Sequence, residues 1–161
     1  MSAASLPETF FEMAQRVIAG YPALVHQWIS EPSGKRTLKF PAASATGFDV
    51  AIEAEAYGLY PYAGDWHGAP WDYNTPRMSY AQIVEDCLGF VRSLLCADSS
   101  LQVFYSNGRP YRWVLAYPLE GRPVSDRMGL LLFNYFGRRS VRTFQNQQLP
   151  PREAFSVVPA A

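Results

Sequence analysis

Asp65, His67 and Asp72 lie in one short run and are the residues of this chain best suited to acid–base work. Histidine titrates near neutrality, and carboxylates beside it can orient and charge it, which is the equipment of a small hydrolase. Nothing nearby completes such a site. Asp65 and His67 are separated by Trp66 alone and could meet one metal ion, yet no HExxH run, cysteine pair or third ligand follows, so no metal or other cofactor is expected. There is no GxSxG elbow for a serine nucleophile, and GDWHG has neither the lysine nor the composition of a phosphate-cradling loop. Cys87 and Cys96 are nine apart, a spacing used by neither a CxxC motif nor a short metal loop. Both are expected to be reduced, with Cys87 a small buried hydrophobe.

The same run, YGLYPYAGDWHGAPWDY over residues 57–73, points more strongly to recognition than to a reaction. Tyr and Trp offer large, rigid contact area with a polar tip, the composition favoured at binding surfaces. Pro61 and Pro70 withhold backbone donors, and Gly58, Gly64 and Gly68 permit turns, so the run is expected to be a loop rather than a helix or a central strand. Tyr60, Tyr62, Trp66 and Trp71 are then its anchors, with Asp65, His67 and Asp72 as polar contacts. The competing reading is a lid, in which the aromatics fold back over an edge of the core and bond their polar tips to nearby carbonyls.

The elements that position this run follow from hydrophobic periodicity. Residues 47–57 alternate strictly, with Phe48, Val50, Ile52, Ala54 and Ala56 on one side and Asp49, Ala51, Glu53, Glu55 and Tyr57 on the other. Three carboxylates, Asp49, Glu53 and Glu55, thus share a strand face that runs straight into the aromatic segment. A solvated face is the ordinary reading; the sharper one is an acidic patch that occupies a basic cleft of a partner. Upstream, Leu6 to Ala19 carries apolar residues at helical spacing behind Pro7 and Glu8, and ALVHQWI and RTLKF flank the turn-rich EPSGK as a hairpin. His26 falls in the first of these strands without nearby ligands and reads as structural or surface. Downstream, Ser79 caps a helix whose stripe is Ile83, Val84, Cys87, Leu88, Val91, Leu94 and Leu95. Asn107-Gly108 between LQVFYS and RPYRWVLAY signals a type I′ hairpin. Residues 118–127 read as a loop, MGLLLFNYF as a mostly buried strand, and RRSVRTFQN as another strand after Gly137 or the continuation of one long bent strand. Strands in hairpin-linked groups predict an α+β fold, a mainly antiparallel sheet of about six strands with two packed helices.

At 161 residues the chain fits one domain, read as 1–149 with a loosely held tail at 150–161. Apolar residues make up 48% and charged residues 17%, which is a globular composition poor in charge. The N-terminus lacks the basic start and apolar stretch of a signal peptide, and no run is long enough for a membrane helix, so a cytoplasmic protein without membrane contact is expected. Net charge is zero but unevenly spread. Residues 1–100 hold six basic and eleven acidic side chains, net −5, and residues 101–161 hold eight arginines against three acids, net +5. The basic end, with Arg138, Arg139 and Arg142 and with Tyr111, Trp113, Tyr135 and Phe136 as stacking candidates, offers a nucleic-acid reading. Those aromatics alternate with apolar residues inside strands, so core burial explains them better.

Taken together, the run AYGLYPYAGDWHGAPWD, the helix EDCLGFVRSLL, the hairpin NGRPYRW and the strand GLLLFNYFGRRSVRTFQN resemble the small standalone α+β immunity proteins encoded beside bacterial polymorphic or secreted toxins. The likeness covers roughly residues 47–146 and is one of size, layout and texture. It implies a non-catalytic cytoplasmic protein that binds a cognate toxin and blocks its active site, and it assigns no site residue.

Overall fold

Ser5 starts the first helix, α1 (Leu6–Ala19), through a reciprocal capping box: the Glu8 N–H donates to Ser5 Oγ at 3.4 Å and the Ser5 N–H to Glu8 Oε2 at 2.9 Å. The Ser5 N–H bond, and then a bond that Ser5 Oγ donates to the same Glu8 oxygen, hold the Glu8 carboxyl below its usual range. Leu6, Phe10, Ala14 and Ile18, spaced by four, form its buried stripe. The structure, a computed structural model, describes residues 5–72, 78–119, 121–129 and 137–150.

After α1 come β1 (Gln27–Ser30), β2 (Arg36–Phe40), β3 (Val50–Glu55), β4 (Gly58–Ala63) and two short strands, β5 (Trp66–His67) and β6 (Trp71–Asp72). They form one antiparallel sheet in the order β1-β2-β3-β4-β5, with β6 also pairing β4. Leu38, Val50, Ile52, Ala54, Leu59 and Ala63 are fully buried on its inner face, against which α1 and α2 (Tyr80–Leu94) pack. Ser79 caps α2 as expected, with its own capping box to Gln82. Leu95 closes that helix, so Cys96 lies beyond it rather than on it.

A second antiparallel sheet follows, β10-β7-β8-β9, made of β7 (Ser100–Ser106), β8 (Arg109–Leu119), β9 (Arg122–Gly129) and β10 (Arg139–Phe144). Its hairpin turn at Asn107-Gly108 has φ of +50° and +77°, the paired positive values that a type I′ turn demands. Leu101, Val103, Trp113 and Leu115 carry the core from this sheet to α2 and the first sheet.

The α+β class and the antiparallel pairing stand, but the expected sheet of about six strands is corrected: ten strands among the described residues divide between two sheets. Residues 118–127, expected as a loop, are mostly the paired ends of β8 and β9. Most of MGLLLFNYF, residues 130–136, and the tail from 151 lie outside the described residues.

The larger correction concerns the run expected as a loop: its residues 58–63, 66–67 and 71–72 are strands of the first sheet. Prolines are confined to places where no ladder donor is required. The Pro61 carbonyl accepts from the Gly68 N–H at 3.4 Å on the side away from β3. A strand residue turns its N and its carbonyl to the same side, so the missing donor of Pro61 faces the interval between β5 and β6 rather than β3. The alternation Leu59, Pro61, Ala63 inward and Tyr60, Tyr62 outward then runs unbroken through the proline.

Candidate functional site

Because β4 is a strand, the sequence candidates divide between its two faces. Ala51, Glu53 and Glu55 alternate with the buried Val50, Ile52 and Ala54, and the register sets Glu53 opposite Tyr60, Ala51 opposite Tyr62 and Tyr62 opposite His67. The outer face of the first sheet therefore gathers Glu53, Glu55, Tyr60, Tyr62 and His67. The carboxylates there are not bare. Lys35, from the turn between β1 and β2, places Nζ 2.7 Å from Glu53 Oε2 and 3.6 Å from Glu55 Oε1. Tyr62 Oη donates to the same Glu53 oxygen at 3.2 Å. The hydrogen bond to Glu53 is the main cause holding the Lys35 ammonium above its usual range. Burial first, and then the Glu53 charge, pushes the Tyr62 phenol up as well. Two carboxylates thus share one ammonium, and the patch is a polar network with a residual negative charge rather than an open acidic stripe.

Beside this network the outer face sinks into a depression of about 400 Å³ whose lining includes Asp49, Ala51, Glu53, Tyr62, Gln27 and Lys39. Asp49 keeps its place with the other carboxylates but has a local duty, its Oδ1 accepting from the Ala42 N–H at 2.7 Å. His67 is exposed, with its ring 6.4 Å from that of Tyr62. Asp65 is exposed in the turn between β4 and β5, and the backbone of Asp72 ends β6 opposite Gly58. No hydrogen bond joins Asp65 to His67 among the described residues. Nor do three potential metal ligands gather among those residues.

The two tryptophans face the other way. Trp66 pairs with Ala63 and Trp71 with Leu59, both inward positions. Trp66 is 3% exposed, and Trp71 is half-buried against the core. As a surface anchor Trp66 is corrected: it is a core residue, and the lid reading describes it better. Gly68 makes this possible, since a Cβ there would lie 2.7 Å from the Trp66 ring. Phe90 of α2, absent from the stripe read in the sequence, is the hub of this side, with ring centroids 5.1 Å from Trp71, 6.3 Å from Trp66 and 4.9 Å from Tyr117 of β8. These rings border a hollow of about 290 Å³. At its edge Tyr117 Oη donates to Asp126 Oδ2 at 2.8 Å. Burial, and then this bond, pushes the Tyr117 phenol up to about 12.

Of the basic half, Trp113 is buried and Tyr111 half-buried, while Tyr135 and Phe136 lie outside the described residues. Arg138, Arg139 and Arg142 are exposed, and the Arg112 guanidinium lies 3.8 Å over the Phe104 ring, which it covers. His26 precedes β1 rather than lying in it, with Nδ1 3.0 Å from the Leu24 carbonyl. Burial pushes the Cys87 thiol up to about 12, so it is held as the neutral thiol.

Asn146 is the structural residue that sequence reasoning missed. It is 2% exposed and joins three segments: the Phe48 N–H donates to its Oδ1, and its Nδ2 donates to the carbonyls of Phe48 and Leu94 at 3.0 and 3.1 Å. The segment after β10 is thereby tied both to the entry of β3 and to the end of α2. No signal in the local pattern marks an Asn in a polar run as buried.

No family model, curated protein or solved structure matches this chain. No helix among the described residues is long and apolar enough to cross a membrane.

Proposed function

We propose that the chain is a non-catalytic, protein-binding inhibitor, a cytoplasmic immunity protein that neutralises a cognate bacterial toxin by covering its active site, with the outer face of the first sheet as its binding surface. The observation that carries this reading is the division of the aromatic run by β4. One face builds the core, while the other sets Tyr60, Tyr62 and His67 outward beside Glu53, Glu55 and Lys35 on a sheet whose opposite side both helices cover. A half-buried tyrosine such as Tyr62, held by its bond to Glu53, loses little freedom on binding, which is what makes such a residue an effective anchor. The depression beside Tyr62 and Glu53 offers a place for a protruding partner side chain.

The structure also alters the electrostatic side of the proposal. With Lys35 between Glu53 and Glu55, the surface is matched to a partner that presents both signs of charge, and long-range steering is a smaller contribution than three free carboxylates suggest. The test is Tyr60→Ala with Tyr62→Ala in complexes captured from the native host. Loss of about 2 kcal/mol or more of affinity with the fold intact is expected of interface anchors. Unchanged affinity rejects this face as the binding surface.

A further inference from the structure

The hollow between the two sheets has a chemical character of its own, independent of the outer face. Its lining includes Trp66, Trp71, Phe90, Tyr117, Met78 and Asp126, and among the described residues neither lysine nor arginine is part of it. The rings do not lie flat on one another: the plane of Phe90 is tilted 38° from Trp71, 45° from Trp66 and 83° from Tyr117. These rings line the hollow, and an aromatic face carries negative quadrupole charge that attracts a cation.

Asp126 supplies the matching full charge. Its position opposite Leu115 puts it on the same side of β9 as the hollow, where it is exposed at the rim, whereas Arg127, opposite Val114, belongs to the other side. Among the described residues Asp126 has no cationic partner, and Tyr117 Oη occupies only one of its oxygens. A hollow of about 290 Å³ stands at the small end of ligand pockets, roughly 300 Å³ and upward. A group suited to it is small, cationic and weakly hydrated, because a strongly hydrated ammonium would be stripped of water against rings that return no hydrogen bond.

We propose that this hollow binds a small methylated ammonium group, with Trp71, Phe90 and Tyr117 as the aromatic walls and Asp126 as the counter-charge. Trp66, at 3% exposure, forms the floor. Anions are disfavoured by every group named. Neutral apolar groups of the same shape gain only burial, and a primary ammonium meets a single carboxylate.

The test is titration of the purified chain with choline, its neutral isostere 3,3-dimethylbutan-1-ol, and ethanolamine, read by calorimetry and by the fluorescence of Trp71 and its neighbours. Choline is expected to bind about tenfold or more tightly than the isostere, the difference set by the positive charge on the rings and Asp126. Asp126→Asn keeps an acceptor for Tyr117 and should weaken choline several-fold while leaving the isostere unchanged. Trp71→Leu keeps an apolar wall and should weaken choline more than the isostere. Equal binding of choline and the isostere overturns the proposal and leaves a merely apolar pocket. Absence of choline binding at tens of millimolar by the folded chain overturns it outright, as does tighter binding of ethanolamine.

Discussion

Trp66→Ala should damage the fold, and Tyr60→Ala, six residues earlier in the same aromatic run, should not. Trp66 is 3% exposed, packs near Phe90 and stands on the inward register of β5 opposite Ala63, whereas Tyr60 is half-buried on the outer face opposite Glu53. Removing a buried Trp typically costs about 3–5 kcal/mol through lost burial and the cavity left behind. The hollow beside Trp66 already lacks filling atoms, which limits collapse around the new void and favours the upper part of that range. For a chain of this length each kcal/mol moves the midpoint by roughly 2–4 °C, so the loss is about 6–20 °C for Trp66→Ala. Tyr60→Ala should stay within about 1 kcal/mol of the parent, as surface changes away from special features usually do. The assay is urea unfolding followed by far-ultraviolet circular dichroism, with the midpoint and slope compared across both variants. A Trp66→Ala protein within about 1 kcal/mol of the parent at unchanged slope would falsify the placement of this residue in the core.

Three further outcomes follow from the packing. Asn146→Ala leaves the Phe48 N–H and the carbonyls of Phe48 and Leu94 without their partner. At about 1–3 kcal/mol for an unsatisfied buried group, partly relieved by water, a loss near 3 kcal/mol is expected, and a change under 1 kcal/mol in urea unfolding contradicts the clasp. Stability should also fall on the alkaline side, because Cys87 and Tyr117 are both pushed up to about 12 from ordinary values of 9.0 and 10.0. The unfolded chain releases these protons first, so above pH 9 it binds fewer protons than the folded chain and is favoured as pH rises towards 12. Cys87→Ala should flatten the earlier part of that slope, and stability that does not fall between pH 9 and 11 rejects the burial argument. In the same buried state neither Cys87 nor Cys96 should react with an aromatic disulfide reagent until the chain unfolds, and immediate stoichiometric labelling of native protein contradicts their burial.

Much of the framework was legible in the sequence because local chemistry and tertiary structure agree there. Ser5 and Ser79 sit where capping residues should, Asn107-Gly108 takes both positive φ values, and the alternation of residues 48–55 matches the burial of β3. The aromatic run misled because Pro61 and the glycines are strong turn signals by themselves, and only the partner strands reveal that the missing Pro61 donor falls between β5 and β6. Lys35 could not be placed over Glu53 and Glu55, nor Asn146 beneath Phe48, because those contacts join segments whose proximity is set by sheet register and by packing. Phe90, seven residues after Ile83 and four before Leu94, stands at the edge of the α2 stripe, and the rings of both sheets that pack on it come from distant segments.

If the outer face of the first sheet binds and neutralises a protein toxin, the chain protects cells that express that toxin. The parent chain should restore growth, Tyr60→Ala with Tyr62→Ala should lose protection while remaining folded and abundant, and Arg112→Ala with Arg142→Ala on the second sheet should protect fully. Protection that survives loss of both tyrosines but disappears with the arginines, together with salt-sensitive binding of single-stranded nucleic acid by the parent chain, would contradict the account and move the function to the basic sheet.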